Sequence, residues 1–270
     1  MLLLIDIGNS NIVCGVMENG TLRLSVRMKT LPARPAEEYV VFLRDMLTEN
    51  HISVSQIQDA VISSVVPVVA EAINLAWKEM SGRETQMIDI TWETGLIFDL
   101  YSPEKLGCDM VVGAAAGVAE YPLPLVLIDV GTATTVCVIN QDKIFTGYMI
   151  IPGPTTGLKG LLARTAQLPH IPLETPKRML GKNTKESMQS GIFYAHACML
   201  DGILDRLSEE LETEDISVVL TGGISRKILP LMKHSANFDP ALLLKGMWHM
   251  YEEHMRPSRQ PEEKGTIGKS

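Results

Sequence analysis

The sequence contains few aromatic residues, no block of basic residues and no long apolar run. Aromatic residues make up 5% of the 270 residues, and 24 Lys and Arg residues are outnumbered by 32 Asp and Glu residues. The resulting net charge of −8 gives no electrostatic attraction to the phosphates of nucleic acid. No apolar run approaches the roughly 18 residues that a membrane-spanning helix needs. We therefore expect neither a nucleic acid nor a membrane as a partner.

Cysteine is also scarce, and its spacing excludes two kinds of site. The four cysteines are Cys14, Cys108, Cys137 and Cys198. They form no CxxC pair and none has zinc-ligand spacing to a histidine, so neither a metal site nor a disulfide framework is indicated. The start of the chain lacks the basic residues and the longer apolar stretch of a secretion signal. Unpaired thiols are typical of reducing compartments, and we expect a cytoplasmic protein.

The most informative feature is an acidic turn that occurs twice. The segments LLLIDIGNSN and VLIDVGTATT each place an aspartate after aliphatic residues and two positions before a glycine. Asp6 precedes Gly8 in the first segment, and Asp129 precedes Gly131 in the second. The two aspartates lie about half a chain length apart, which indicates an internal duplication.

The predicted elements repeat in the same way. Strands are predicted at 2–7, 12–17, 21–28, 59–67, 85–90, 125–130, 134–140, 143–150 and 217–223, and helices at 35–50, 68–81, 104–120, 155–164, 184–213 and 240–255. Asn19 and Gly20 between two strands favour a hairpin. Each half therefore begins with a three-strand meander and continues as alternating helix and strand, which predicts a mixed α/β fold. We expect halves at 1–117 and 118–255, and a disordered polar tail at 256–270.

The repeated turns suit a phosphate-binding site. Glycine lets backbone N–H groups point at an anion, and hydroxyl and amide side chains follow both glycines. Aspartates among phosphate donors require a cation, and Mg²⁺ commonly takes one or two carboxylates together with phosphate oxygens. The alternative is a pair of hairpins that use Asp and Gly only as turn formers. Two copies at matched places favour a ligand between two facing halves.

A third segment, VVLTGGIS at 218–225, fits the same ligand. It is a predicted buried strand followed by Thr221, Gly222 and Gly223. Adjacent glycines permit the close approach of a flat group such as adenine. By itself the pattern is weak, because a plain turn from strand to helix also explains two glycines.

These segments resemble a known superfamily. DIGNSN, DVGTATT and LTGGIS are similar to the phosphate 1, phosphate 2 and adenosine motifs of the acetate kinase, sugar kinase, Hsp70 and actin superfamily. SSVVP, YSPEKLGCDM, GKNTKESMQSG and DPALLLKGMWHMYE resemble, in the same order, segments of type III pantothenate kinase, over about residues 1–253. The resemblance implies an α/β fold of duplicated actin-like (ribonuclease H-like) halves with a nucleotide cleft between them. It also implies ATP-dependent phosphorylation of pantothenate, the first step of coenzyme A synthesis.

The resemblance also implies roles for individual residues. The residues implied to bind ATP are Asp6, Ile7, Gly8, Asn9, Ser10, Asn11, Ile12, Val13 and Thr132. The residues implied to contact pantothenate are Tyr101, Gly107, Cys108, Asp109, Met110 and Thr184. Asp109 is implied to be the general base, although a helix N-cap would be the preferred interpretation without the resemblance. Asp129 is implied to hold K⁺ or NH₄⁺, and Asp6 is a candidate contact for the Mg²⁺ that accompanies ATP.

The resemblance implies a homodimer that completes the pantothenate site across its interface. The apolar positions of the predicted helix at 184–213 agree with this, because they cover more than one face of the helix.

Two departures from the family pattern fall on the acceptor side. Met110 stands where the family has arginine, and Tyr148 stands where it usually has glycine. Loss of a guanidinium predicts weak pantothenate binding with intact ATP binding. Three interpretations follow: a pantothenate kinase, a kinase for a related acceptor, or a non-catalytic binding or regulatory relative. Retention of Asp6, Asp109 and Asp129 favours an enzyme.

Overall fold

The computed structural model describes residues 1–255, which form two β-sheets with helices between and around them. The tail predicted at 256–270 lies outside the described residues. None of the helices within 1–255 combines the length and the apolar character needed to cross a membrane.

The first sheet is built from the first third of the chain. Its elements are β1 (Leu2–Ile7), β2 (Asn11–Glu18), β3 (Thr21–Lys29), α1 (Ala36–Glu49), β4 (Asp59–Ser64), α2 (Pro67–Ser81) and β5 (Gln86–Met87). The strand order is β3-β2-β1-β4-β5, with β1 antiparallel to β2 and parallel to β4. Asn19 and Gly20 both have positive φ, 50° and 75°, which confirms the predicted hairpin between β2 and β3.

The second sheet repeats this arrangement. The remaining elements are β6 (Ile97–Phe98), α3 (Cys108–Glu120), β7 (Leu125–Val130), β8 (Ala133–Ile139), β9 (Ile144–Pro152), α4 (Pro154–Ala163), α5 (Thr184–Glu210), β10 (Ser217–Thr221), α6 (Ser225–Ile228), β11 (Asn237–Phe238) and α7 (Leu242–Met255). The order β11-β10-β7-β8-β9 corresponds strand for strand to the first sheet, read from its β5 edge. The predicted duplication of an α/β unit is therefore confirmed.

Three short elements escaped the sequence-based prediction. β6 and β11 have two residues each, and α6 has four. β6 adds a sixth strand to the second sheet by pairing with β9, although it precedes α3 in the chain. The proposed division between 117 and 118 falls within α3 and stays a prediction.

Helices α3 and α7 lie between the two sheets. Apolar side chains of both helices share one buried core with Leu2 and Leu4 of β1 and with Leu125 and Leu127 of β7. The opposite face of β1 presents Leu3, Ile5 and Ile7 to a second core, which includes α1 and α2. All six residues of β1 are buried because both faces of this central strand are covered. The end of β1 is thereby fixed relative to α3.

The two central helices touch through a glycine. Gly246 of α7 lies so close to α3 that a Cβ atom placed on it would overlap the carbonyl oxygen of Val112. Backbone atoms cannot move aside as the end of a flexible side chain can, so this close packing requires glycine.

We expect Gly246→Ala to destabilise the protein by about 1–3 kcal/mol, because overpacking forces α3 and α7 apart. Gly160→Ala in α4 is the matched control, since no atom lies within 4 Å of the Cβ position there. That variant should be neutral or stabilise by up to about 1 kcal/mol. Urea denaturation of both variants measures the difference, and equal stability would contradict the proposed close contact.

Candidate functional site

A cleft of about 1000 Å³ opens between the two halves, where β1 and β7 end. Its lining includes seven of the nine residues predicted to bind ATP: Asp6, Gly8, Asn9, Ser10, Asn11, Val13 and Thr132. Asp109 and Asp129 line the same cleft. Ile7 and Ile12 do not, because they pair with each other across β1 and β2 and are buried in the core.

The two acidic turns occupy equivalent places in the two sheets. In the first turn the Gly8 N–H donates to the Asn11 carbonyl at 3.0 Å, and in the second the Gly131 N–H donates to the Ala133 carbonyl at 2.9 Å. The first turn is therefore longer by one residue. The hydroxyls of Ser10 and Thr132 lie 2.6 Å apart, so the turns from the two halves meet at the cleft.

Three carboxylates converge in this cleft. Burial raises the pKa of Asp6 to about 7, and the charges of Asp109 and Asp129 add to the shift, while a hydrogen bond from the Ser63 hydroxyl opposes it. Burial, followed by the charge of Asp109, raises the pKa of Asp129 to about 7 as well. The pKa of Asp109 is also raised by burial, although its carboxylate accepts the Met110 N–H at 2.9 Å. A cluster of this kind ionises readily only when cations neutralise it.

The donor set fits the cations that the resemblance implies. Mg²⁺ commonly takes one or two carboxylates and completes its shell with phosphate oxygens and water, and Asp6 stands beside the first phosphate turn. Asp129 lines the same cleft and could offer its carboxylate to the monovalent cation that the resemblance implies. Within residues 1–255, no three His, Cys, Asp or Glu side chains are grouped as a metal centre.

The turn of the third segment, at Gly222 and Gly223, lies against Asp129. Gly222 has a φ of 95°, and a Cβ atom there would overlap the Asp129 carboxylate and lie 2.6 Å from the Val130 carbonyl oxygen. Both Gly222 and Gly223 line the cleft. The predicted need for glycine at this turn therefore has a structural cause, because only glycine allows β10 to end so near Asp129.

Sequence reasoning missed the basic residues of the cleft. The cationic lining residues are Arg27 and Lys29 of β3, Lys159 of α4 and Arg226 of α6. The alternating polarity of β3 indicated a strand with one solvent face. The available signal was the pairing of β3 with β2, which places Lys29 opposite Asn11 and thus beside the first phosphate turn.

Thr30 is a further residue of the site that the sequence did not reveal. It is buried directly after β3, where its hydroxyl donates to the Gly8 carbonyl at 2.7 Å and its N–H donates to the Ser10 carbonyl at 3.0 Å. Thr30 therefore fixes the conformation of the first turn through two of its carbonyl groups. Backbone N–H groups of such turns can bind an anion.

The residues predicted to bind pantothenate are not all brought together. Gly107 is the N-cap of α3, and Asp109 in the first turn lines the cleft. Cys108 is half-buried, with its thiol 3.7 Å from the Ile88 carbonyl oxygen. Met110 is 8% exposed and belongs to the core between the sheets, so its side chain does not line the cleft.

Two other predicted contacts lie elsewhere. Tyr101 is fully exposed, outside the lining of the cleft. Thr184, the first residue of α5, lines a separate groove of about 800 Å³ between α4 and α5. Tyr148 of β9 is 42% exposed and lies with its ring 6.2 Å from that of Phe145, outside the lining of the cleft. The pantothenate contacts of Tyr101 and Thr184 stay predictions.

Comparison with known proteins identifies the family. A family model for type III pantothenate kinase matches residues 2–206. The chain belongs to this family. Membership of a kinase family agrees with the two phosphate turns and indicates a nucleotide-binding transferase. The resemblance noted from individual motifs is thereby confirmed at the level of the family.

Solved structures extend the likeness to the fold. A Baf family transcriptional activator from Campylobacter jejuni is 18% identical, with 93% of this chain and 98% of that chain covered and a TM-score of 0.53. Component A of (R)-2-hydroxyglutaryl-CoA dehydratase from Acidaminococcus fermentans is 12% identical, with coverage of 93% and 96% and a TM-score of 0.53. At these identities the matches show the fold alone, which is the duplicated actin-like fold.

The carboxylate cluster predicts a pH-dependent stability of the ligand-free protein. The folded-state pKa of Asp129 is raised from 3.8 to about 7, so its stabilising contribution is present below about pH 4 and is lost as the pH rises through about 7. We expect Asp129→Asn to raise the unfolding temperature at pH 8.5 by a few degrees, roughly 2–4 °C per kcal/mol, and to change it little at pH 5.

Calorimetry at both pH values, without nucleotide, K⁺ or Mg²⁺, measures this effect. Asp45→Asn on the exposed face of α1 is the control and should give no pH-dependent change. An equal effect of Asp129→Asn at pH 5 and pH 8.5 would show that repulsion within the cleft is not its cause.

Proposed function

We propose that the protein transfers the terminal phosphoryl group of ATP to the hydroxyl group of pantothenate and forms 4'-phosphopantothenate. The observation that carries the proposal is the position of Asp109 in the same cleft as both phosphate turns. The charge of Asp109 adds to the repulsion between Asp6 and Asp129, which destabilises the folded protein. A catalytic role for Asp109 accounts for its presence despite this cost. The family match supports the same reaction.

The nucleotide is held by groups from both halves. N–H groups of the turn that begins at Gly8 receive phosphate oxygens, and the Thr132 hydroxyl donates from the opposite side. The adenosine of the nucleotide approaches the turn at Gly222 and Gly223, which lines the cleft and carries no side chain of its own. Asp6 would hold Mg²⁺ and Asp129 a monovalent cation, and these ions would supply positive charge that neutralises the phosphate oxygens.

Asp109 acts as the general base. Its pKa is raised by burial, which makes it a better proton acceptor than an exposed carboxylate. The proton of the pantothenate hydroxyl passes to Asp109 as the hydroxyl oxygen forms a bond to phosphorus. The bond from phosphorus to the ADP oxygen then breaks, and the remaining catalysis is positioning and charge neutralisation.

Burial of Met110 favours a second candidate acceptor. Where the family has a guanidinium, this chain has a thioether within the core, which offers no partner to a carboxylate. A related acceptor, without the same need for a cation at this position, fits that change. The third interpretation, a non-catalytic binding or regulatory protein, has no comparable support because the three carboxylates are retained.

Release of ADP, measured with and without pantothenate in K⁺ and in Na⁺, tests the reaction. We expect turnover that requires pantothenate and K⁺ or NH₄⁺. Asp109→Asn should lower kcat by at least about 10²-fold, because it removes the base, and should leave ATP affinity within about threefold. Asp142→Asn, in the exposed turn between β8 and β9, is the matched control.

Two other outcomes would contradict parts of the proposal. Binding of ATP without release of ADP in the presence of pantothenate would leave either a kinase for another acceptor or the non-catalytic interpretation. Retained turnover in Asp109→Asn would exclude Asp109 as the base.

We also propose a homodimer joined through α5. The groove between α4 and α5 is lined by apolar side chains that include Leu161 and Met199, and it contains Thr184. A second chain seated there brings Thr184 to an interface, as the resemblance implies. Light scattering at micromolar concentration should give twice the mass of one chain.

A charge in the groove tests the location of the interface. Met199→Glu should yield a monomer, whereas Val41→Glu on exposed α1 should remain a dimer. A monomeric wild-type protein would contradict the proposed assembly.

We place the protein in the cytoplasm, without a nucleic-acid or membrane partner. The four cysteines are free thiols, which suits a reducing compartment. The net charge of −8 disfavours binding to nucleic acid and to anionic lipid surfaces. ATP and pantothenate are then the expected ligands.

A further inference from the structure

An arginine with no assigned role enters the cleft from β3. Arg27 pairs with Val13 of β2, and its side chain lines the cleft. One terminal nitrogen of the guanidinium lies 2.8 Å from the point that a Cβ atom on Gly223 would occupy. The side chain therefore starts in the first half and reaches the third motif in the second half.

The guanidinium of Arg27 has no hydrogen-bond or ion-pair partner among residues 1–255. Its charge lies close enough to Asp6 and Asp129 to oppose the rise in the pKa of both, but it forms a salt bridge with neither. Arg23, on the same strand, differs because it pairs with Glu18 at 2.7 Å. The donors of Arg27 are therefore available to a ligand in the cleft.

The surroundings of Arg27 identify the chemistry of that ligand. A guanidinium presents paired N–H groups that match two oxygens of one phosphoryl group. Asp6 and Asp129 each precede one of the two phosphate turns, and the charge of Arg27 opposes the rise in the pKa of both. Asp109, the proposed base, interacts electrostatically with the same two carboxylates. The space between these groups is where the transferred phosphoryl group must pass.

We propose that Arg27 binds the terminal phosphoryl group of the nucleotide and neutralises its charge during transfer. This inference rests on the proposed kinase function. Arg27 forms and breaks no covalent bond: the acceptor oxygen bonds to phosphorus, the bond to ADP breaks, and the acceptor proton goes to Asp109. A guanidinium in this position stabilises negative charge on the equatorial oxygens of the transition state.

A competing explanation is that Arg27 only moderates the repulsion between Asp6 and Asp129. That role involves no contact with the terminal phosphate, so it affects ATP and ADP binding equally. The difference between the two nucleotides therefore separates the two explanations.

The experiment compares Arg27→Met with Arg23→Met, which removes a guanidinium from the same strand outside the cleft. Titration calorimetry with Mg²⁺ and K⁺ gives the affinities for ATP and for ADP. We expect Arg27→Met to weaken ATP binding at least about 10-fold and ADP binding less than about threefold, because a charge-assisted contact to the terminal phosphate is lost. Arg23→Met should change neither affinity.

The kinetic expectation is a fall in kcat of at least about 10²-fold for Arg27→Met, with Arg27→Lys intermediate. Equal losses of ATP and ADP affinity, or no loss of either, would overturn the inference. A thermal melt of each variant confirms folding before the comparison.

The binding measurement does not depend on the acceptor. If wild-type protein fails to phosphorylate pantothenate but Arg27→Met still weakens ATP binding much more than ADP binding, the inference stands and the acceptor assignment fails. If pantothenate is phosphorylated but Arg27→Met affects the two affinities equally or not at all, only the inference about Arg27 fails.

Discussion

Mutual repulsion among three carboxylates is the constraint on which the site depends. Asp6, Asp109 and Asp129 come from the ends of β1 and β7 and the start of α3, and each is held there by an element buried on both sides. A pliant framework would let the charges separate. The packed layer of α3 and α7 keeps the three carboxylates close together. Their mutual repulsion therefore persists in the ligand-free protein, and bound cations would offset it.

The two halves share a topology but not the details of their turns. Asp6 lies opposite Ser63 on β4, and Asp129 lies opposite Thr221 on β10, so a hydroxyl residue faces each aspartate. Only the Ser63 hydroxyl hydrogen-bonds to its aspartate among the described contacts. The first turn is also one residue longer and is held by Thr30. Duplication followed by local change thus yields two turns of the same topology that differ in length and in hydrogen bonding.

Local patterns predicted most of the fold, because their physical causes are local. The hairpin at Asn19 and the central strands follow from turn chemistry and from periodicity. β6 and β11 have only two residues each and exist through pairing with β9 and β10, so no local signal marks them. The same holds for the site. The turns at Asp6 and Asp129 have a local sequence signal, so the sequence predicts them.

Other parts of the site depend on contacts between distant segments. The alternating polarity of β3 indicates only that Arg27 lies on the polar face of the strand. Its approach to Gly223 depends on how the two halves meet. Met110 was expected beside the acceptor, but its position in the first turn of α3 directs it into the core while Asp109 faces the cleft. Adjacent helical residues point in different directions, and only the packing of α3 decides which of them reaches the ligand.

Helix α4 has a consequence of its own, because it forms a wall shared by two compartments. Thr155, Thr156 and Lys159 face the nucleotide cleft, whereas Pro154, Gly157 and Leu161 face the apolar groove beside α5. One rigid ten-residue helix cannot shift on one side without shifting on the other. A second chain seated in the groove, as proposed above, would therefore press on the same helix that carries Lys159, which couples assembly to the shape of the nucleotide cleft.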